Sequence, residues 1–290
     1  MKTIKFFRYL LESIVIIIFF IVFKILGRRI STFISGKIFC FLGPFFRSKK
    51  IISKNLIKAF PKISDKEIKV NMNQMWNYYG KIFAEYPFLK NFRNGDLNSF
   101  IEINGKNYLE IIKKEKKSVV FVSGHFNNFE LMAMQIEKMG IELSAIYRPL
   151  NNTFLNKIME NIRTKYICKN QIKKGRAGTR QILKDLKKGN SVALMIDQRV
   201  REGSKVKFFG NLATTTSIPA QLIKKYKCEL VPIYIERKDK YYFKMHISKP
   251  IKISSQKNTE DITLFLNTIL EKMILKNIDQ WIWTHNRWKK

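Results

Sequence analysis

The sequence predicts an α/β fold, an αβα sandwich around a largely parallel, mixed sheet, with an apolar helix ahead of it. Short β-branched and aromatic runs at residues 119–122, 191–196 and 229–236 read as buried strands, and segments of helical spacing lie between them. Strands alternating with helices favour a parallel sheet whose ligands gather at the strands' carboxyl ends. With 46% hydrophobic residues in a chain of 290, and no internal repeat or low-complexity linker, the expectation is one main domain behind an appendage.

In chain order, Lys2, Lys5 and Arg8 precede an apolar run at 9–26. Such a helix spans about 27 Å, enough for a bilayer core. A cleaved signal peptide is the rival reading, but the first alanine is Ala59, so no Ala-x-Ala box follows the run and an uncleaved anchor is expected. Arg28, Arg29, Lys37, Arg47, Lys49, Lys50 and Lys54 make the following stretch the more basic, which expects the main body in the cytoplasm. Residues 30–46 are apolar but interrupted by Gly36, Gly43 and Pro44, and are expected to lie in the membrane interface or to pack on the domain. The expected division is 1–28 transmembrane anchor, 29–60 interfacial segment and 61–290 main domain.

Residues 61–95 read as helical, with Ser64 as N-cap and Glu67 at the capping-box position. The Met- and aromatic-rich stretch 70–88 is core, or a flexible apolar wall facing an acyl chain or the membrane. Then come a short strand at 100–104, a helix at 107–116, the strand 119–122 and a helix ending near Met139. Strands follow at 143–147, 166–168, 191–196, 229–236 and 241–247. Helices are expected at 152–164, 178–188, 216–226 and 260–276.

The 55 Lys+Arg against 22 Asp+Glu give a formal charge of +33, which calls for an anionic partner: nucleic acid, anionic lipid or an acidic carrier protein. Heavy use of Lys, Ile and Asn, as AT-rich coding imposes, makes that charge less specific. The charges run through the whole chain and no nucleic-acid module signature occurs, so nucleic acid is not the expected partner. Cys40, Cys168 and Cys228 lie far apart with no Cys-x-x-Cys, which points to a reducing compartment without a disulfide framework or zinc site. No metal or cofactor is expected.

The chain is organised around residues 118–131. Gly124 frees the backbone to turn after the strand, placing His125 at a strand-to-helix corner. Glu130, early in the following helix, can fold back towards the imidazole, fix its tautomer and leave the other ring nitrogen to take a proton from a hydroxyl. The plainer alternative is a buried corner histidine with an unrelated glutamate. There is no Gly-x-Ser-x-Gly elbow, P-loop or Gly-x-Gly-x-x-Gly, so serine hydrolases, P-loop enzymes and dinucleotide oxidoreductases are disfavoured. A histidine base without an obvious protein nucleophile fits acyl transfer, in which a substrate hydroxyl attacks a thioester.

Arg148, Arg163, Arg176 and Arg180, with Arg199 and Arg201, fall where loops surround the same sheet edge. Two or three of them suit a phosphorylated headgroup or a phosphopantetheine; each is otherwise a solvated charge. Asp197 ends a strand, where it can hold an arginine, polarise a substrate hydroxyl or simply cap the strand.

Several separated stretches together resemble the bacterial lipid A biosynthesis acyltransferases, within the wider lysophospholipid acyltransferase superfamily. The segment from His125 through Phe126, Asn127, Asn128 and Phe129 to Glu130 looks like that family's His-x4-Asp/Glu signature. Tyr147-Arg148-Pro149-Leu150, Gly175-Arg176 with Gly178 and Arg180, Asp197-Gln198, Phe208-Phe209-Gly210, Val231-Pro232 and the closing residues Gln280 to Trp288 match further segments in order. Ile278 stands where the family usually has proline, with Asp279 beside it, a departure read as drift in a structural tail.

The resemblance covers nearly the whole chain. It implies a glycerolphosphate-acyltransferase-like fold and a cytoplasm-facing inner-membrane enzyme that moves an acyl group from acyl carrier protein to a hydroxyl of a phosphorylated glucosamine lipid. It implies His125 as base and Glu130 as its orienting partner, with Arg148, Arg163 and Asp197 lining the site. Two alternatives stand beside it. The acceptor could be a lysophospholipid, glycerol phosphate or another glycolipid, or the chain could be a membrane-tethered binder of anionic polymers.

Overall fold

The computed structural model describes residues 2–289, so Met1 and Lys290, where the expected segments begin and end, lie outside the described residues. The N-terminal part is helical: α1 (Lys2–Phe46), α2 (Lys49–Ala59), α3 (Asp65–Glu85) and α4 (Leu89–Asn94). Alternation then begins with β1 (Ile101–Asn104), α5 (Lys106–Lys114), β2 (Val119–Ser123), α6 (Glu130–Lys138), β3 (Leu143–Tyr147), α7 (Thr153–Ile162), β4 (Asn170–Lys173), α8 (Arg176–Lys187) and β5 (Ser191–Met195). The chain closes with β6 (Ser204–Phe208), β7 (Asn211–Thr215), α9 (Ile218–Tyr226), β8 (Glu229–Lys238), β9 (Tyr242–Ile247) and α10 (Thr259–Lys276).

Seven strands form one sheet in the order β1-β9-β8-β2-β5-β3-β4. β2 pairs parallel with both β5 and β8, and β3 with β4 and β5, while β9 runs antiparallel to β8. The sheet is therefore mixed and mostly parallel, as the alternation predicts. Every residue of β2 is buried, so both faces of the sheet centre are covered, which is why this strand reads as an unbroken apolar run.

α1 breaks at Gly27, whose φ of 78° suits glycine. The Ser31 hydroxyl lies within hydrogen-bond distance of the Phe23 and Gly27 carbonyls on either side of the break, at 2.8 and 2.7 Å. Beyond the break, residues 30–46 are continuous helix rather than the interrupted segment expected. The glycines there are places of close approach to α3. A Cβ on Gly36 would lie 2.2 Å from the Asn77 side chain, one on Gly43 2.3 Å from Trp76, and one on Gly80 of α3 2.2 Å from the Ser35 carbonyl oxygen. The Ser35 hydroxyl donates to the Gly80 carbonyl across the same contact.

The half of α1 before Gly27 lies along the domain instead of standing clear of it. Phe19, Phe20 and Phe23 meet Phe83, Phe20 stacks on Tyr86, and Lys24 donates to Asn91. Its outer face leaves Ile4, Phe7, Leu11, Ile18, Ile21 and Ile25 exposed. α1 is long and apolar enough to cross a membrane, and only 11% of its most apolar window is buried.

The Ser64–Glu67 capping box opens α3 as expected, and Met75, Trp76 and Phe88 enter the core. One expected strand is absent and one hairpin is new. Residues 166–168 are not a strand: Arg163–Ile167 form a π-helical turn closed by the Cys168 N–H on the Arg163 carbonyl, and the edge strand starts at Asn170. The β6–β7 hairpin was not anticipated, because its two-residue turn uses Phe209 and Gly210 at positive φ (48° and 71°) in place of the usual Asn-Gly. The Phe209 N–H is held by Glu271 at 2.6 Å.

Candidate active site

β2 and β5 are adjacent and parallel, with Ser123 opposite Met195, and the Ile196 N–H extends the pairing to the Ser123 carbonyl. His125 and Asp197, each two residues past its strand, are thereby brought together at the carboxyl edge. Gly124 makes the approach possible, since a Cβ there would lie 2.9 Å from Leu270 and 3.3 Å from the Asp197 Cβ. Asp197 Oδ1 lies 2.8 Å from His125 Nδ1, and Oδ2 accepts from the His125 backbone N–H at 2.8 Å and from Trp281 Nε1 at 2.9 Å.

A carboxylate on Nδ1 fixes that nitrogen as donor and leaves Nε2 as the basic atom of the neutral ring. Nε2 has no protein partner among the described residues, and the side chain keeps 20% exposure. Phe129 covers the imidazole edge-on, with centroids 4.8 Å apart. Burial disfavours the imidazolium, but the Asp197 charge and hydrogen bond outweigh it, with help from Glu130, and His125 is raised above its ordinary 6.5. The same balance runs the other way on Asp197: burial pushes its carboxyl up, yet the charge of the imidazole and the hydrogen bonds from its ring, the His125 N–H and Trp281 bring it down to about 2.

Glu130 is the first residue of α6, as the sequence suggested, but its bonds go elsewhere. Its Oε1 accepts from the Tyr86 hydroxyl at 2.6 Å and from Arg163 Nε and Nη2 at 2.9 and 2.7 Å. The carboxylate bonded to the imidazole is Asp197 and not Glu130, a correction to the expected pairing. The reason is reach: Arg163, half-buried at the π-turn ending α7, brings two donors to the glutamate. Glu130 Oε2 has no partner among the described residues.

The corner between His125 and Glu130 is held from beneath. Asn127 adopts positive φ (37°), and its side chain accepts from Arg237 Nε and from the Asn128 N–H. Arg237 forks onto both oxygens of Glu85 at 2.8 Å, and Glu85 also accepts from Asn128. Glu85 and Arg237 are almost wholly buried, which makes this pair an internal brace.

Arg148, Arg176 and Arg180 share the sheet edge but not this cluster. Arg148 follows β3, and the other two lie in the first turns of α8 after β4; all three are exposed and make no side-chain hydrogen bond or ion pair among the described residues. Sequence reasoning passed over Tyr86 and treated Trp281 as part of a structural tail, although both donate directly to the site's carboxylates. No group of three His, Cys, Asp or Glu gathers for a metal among the described residues.

An imidazole pinned through Nδ1, open at Nε2 and bonded to no serine or cysteine among the described residues can take a proton from a hydroxyl. The chain that carries this pair on its mostly parallel α/β sheet is an acyltransferase. The chain belongs to the bacterial lipid A biosynthesis acyltransferases, whose family model matches residues 1–290. It is 26% identical over 268 residues to a lipid A biosynthesis palmitoleoyltransferase of Escherichia coli K12, covering 87% of this chain and 85% of that protein. The lipid A biosynthesis lauroyltransferase of the same organism is 24% identical over 249 residues, covering 84% of this chain and 79% of its own length. The solved 1-acyl-sn-glycerophosphate acyltransferase of Thermotoga maritima is 13% identical with a TM-score of 0.44, over 88% of this chain and 100% of that one.

Proposed function

We propose that the protein transfers a fatty acyl chain from the thioester of acyl carrier protein to a hydroxyl of a phosphorylated lipid A precursor. The observation that carries this reading is the open Nε2 of His125 beside a carboxylate-bound Nδ1. The acceptor O–H gives its proton to Nε2 as its oxygen attacks the thioester carbonyl. The resulting oxyanion collapses, the carbon–sulfur bond breaks, and the leaving thiolate takes the proton back from the imidazolium. Asp197 stabilises that imidazolium. The Glu130–Arg163 pair stands beside it and orders the wall of the site, while Arg148, Arg176 and Arg180 attract the phosphates of donor or acceptor.

Membrane attachment belongs to the same reading. The exposed apolar face of α1 provides the anchor, the domain faces the cytoplasm, and the carboxyl edge meets acceptor lipid in the inner membrane. The test is purified protein with acyl-carrier thioester and a phosphorylated lipid A precursor, which should give a product one acyl chain heavier. His125→Ala should abolish turnover with the fold intact; unaltered turnover refutes the assigned base. Lipid profiling of a deletion strain distinguishes a lipid A acceptor from a lysophospholipid by showing which lipid loses a chain.

A further inference from the structure

The tail after α10 crosses the site and does not merely cover the fold. Phe126 and Trp281 form an antiparallel bridge, the Asn127 N–H donates to the Gln280 carbonyl, and the Gln280 side chain bonds Asn127 and the backbone of Arg237. The tail thus grips the segment that carries His125. One residue on, the Trp281 indole N–H reaches Asp197 Oδ2 at 2.9 Å, with the residue only 2% exposed and its ring packed on Trp283 and Phe208.

We propose that Trp281 is a positioning residue for the His125–Asp197 pair: its indole N–H locks the carboxylate so that Oδ1 faces Nδ1. The inference deepens the acyltransferase reading and rests on it for its kinetic part alone. Asp197 Oδ1 has one donor, the imidazole, whereas Oδ2 has two that do not titrate, a backbone N–H and an indole N–H. Two fixed donors on one oxygen define the carboxylate plane, and a hydrogen bond to a charged group is among the stronger ones. The other groups whose charge reaches the pair are Glu130 and Arg163, Tyr79 of α3, and His285 and Arg287 further along the tail. Trp283 is the internal control, since its indole N–H donates to the Ile278 carbonyl instead of to either member of the pair.

The experiment compares Trp281→Phe with Trp283→Phe. Both keep an aromatic ring and lose an N–H, but only the first removes a donor from Asp197. The His125 midpoint is read by NMR of labelled histidine, assigned with His125→Ala, so this measurement needs no turnover and stands even if the substrate assignment fails. In Trp281→Phe the charge on the carboxylate is less shared, so the imidazolium is held more tightly and the midpoint should move up. In Asp197→Asn it should move down, and in Trp283→Phe it should stay. With acyl donor and acceptor, Trp281→Phe should lower kcat about tenfold at unchanged KM. An unchanged midpoint and kcat in Trp281→Phe, or the same changes in Trp283→Phe, overturns the proposal. Should Trp281→Phe not fold, the unmodified protein decides: the Trp281 indole N–H resonance should shift as His125 titrates, and equal shifts for Trp281 and Trp283 overturn it.

Discussion

Arg163 closes both Nε and Nη2 on a single oxygen of Glu130, at 2.9 and 2.7 Å, and so ends α7 against the start of α6. The pair is largely buried, at 15% and 8% side-chain exposure. Removing one partner of such a pair leaves an uncompensated charge at a cost of about 3 to 5 kcal/mol. Glu130→Gln should therefore lower the unfolding midpoint and reduce turnover about a hundredfold, because the wall beside His125 moves. The double change Glu130→Gln with Arg163→Gln should recover much of the stability but not the rate. Calorimetry and initial rates check both, and full activity in Glu130→Gln would leave the pair without a role.

The pH dependence follows from His125 and Asp197. As the proposed base, His125 works only when neutral, and its ordinary value of 6.5 is raised in the folded protein, chiefly by Asp197 acting against burial. The acid limb of kcat/KM should therefore lie above 6.5, and Asp197→Asn should move it to lower pH while reducing the plateau. Stability has two signs. The raised histidine contributes fully below 6.5, and that contribution fades as pH climbs through its folded value. Asp197, lowered from 3.8 to about 2, contributes fully above 3.8 and is lost as pH falls towards 2. Rate profiles and unfolding midpoints across this range test both; a limb below 6.5 in the unmodified enzyme contradicts the assignment.

Local pattern made much of this fold legible. The β2 run, the Gly124 corner, the Ser64 capping box and Glu130 at the head of α6 all follow from residues close together in the chain. The partners across the site do not. Asp197 is 72 residues from His125, Trp281 is 84 from Asp197, and Tyr86 is 44 from Glu130, so register and packing, rather than spacing, decide who meets whom. Glu130 looked like the histidine's partner only because sequence shows the offset and hides the arginine that competes for it. Gly36 and Gly43 were read as breaks because a sequence cannot distinguish a glycine that ends a helix from one that lets another helix in.

That helix contact gives a sharp structural prediction. Gly80 faces the Ser35 carbonyl, which is backbone and cannot rotate away, and an added Cβ would lie 2.2 Å from it. Gly80→Ala should part α1 from α3 and destabilise the protein by about 1 to 3 kcal/mol, despite the better helix propensity of alanine. Chemical unfolding measures this. A Gly80→Ala protein as stable as its parent would mean that the two helices do not pack as closely as described.

The exposed arginines invite a test of a different kind. Strand spacing near 4.8 Å puts Arg148, two strands from His125, about 10 Å along the edge, and Arg176, three strands away, about 15 Å. Such separations suit the proposed role of meeting a phosphate carried by a bound substrate. Arg148, Arg176 and Arg180 face solvent without carboxylate partners among the described residues, so their field is open to an anion. Replacing all three with glutamine should raise KM for the acyl-carrier thioester or the phosphorylated acceptor while leaving kcat near its parent value. The parent's KM should climb steeply with salt, since charges at these distances are screened over about 10 Å at 0.1 M ionic strength, and the triple variant should lose most of that dependence. Steady-state kinetics with each substrate varied in turn identifies which anion the edge receives. A triple variant with the parent's KM and salt dependence for both would show that these charges serve only solubility.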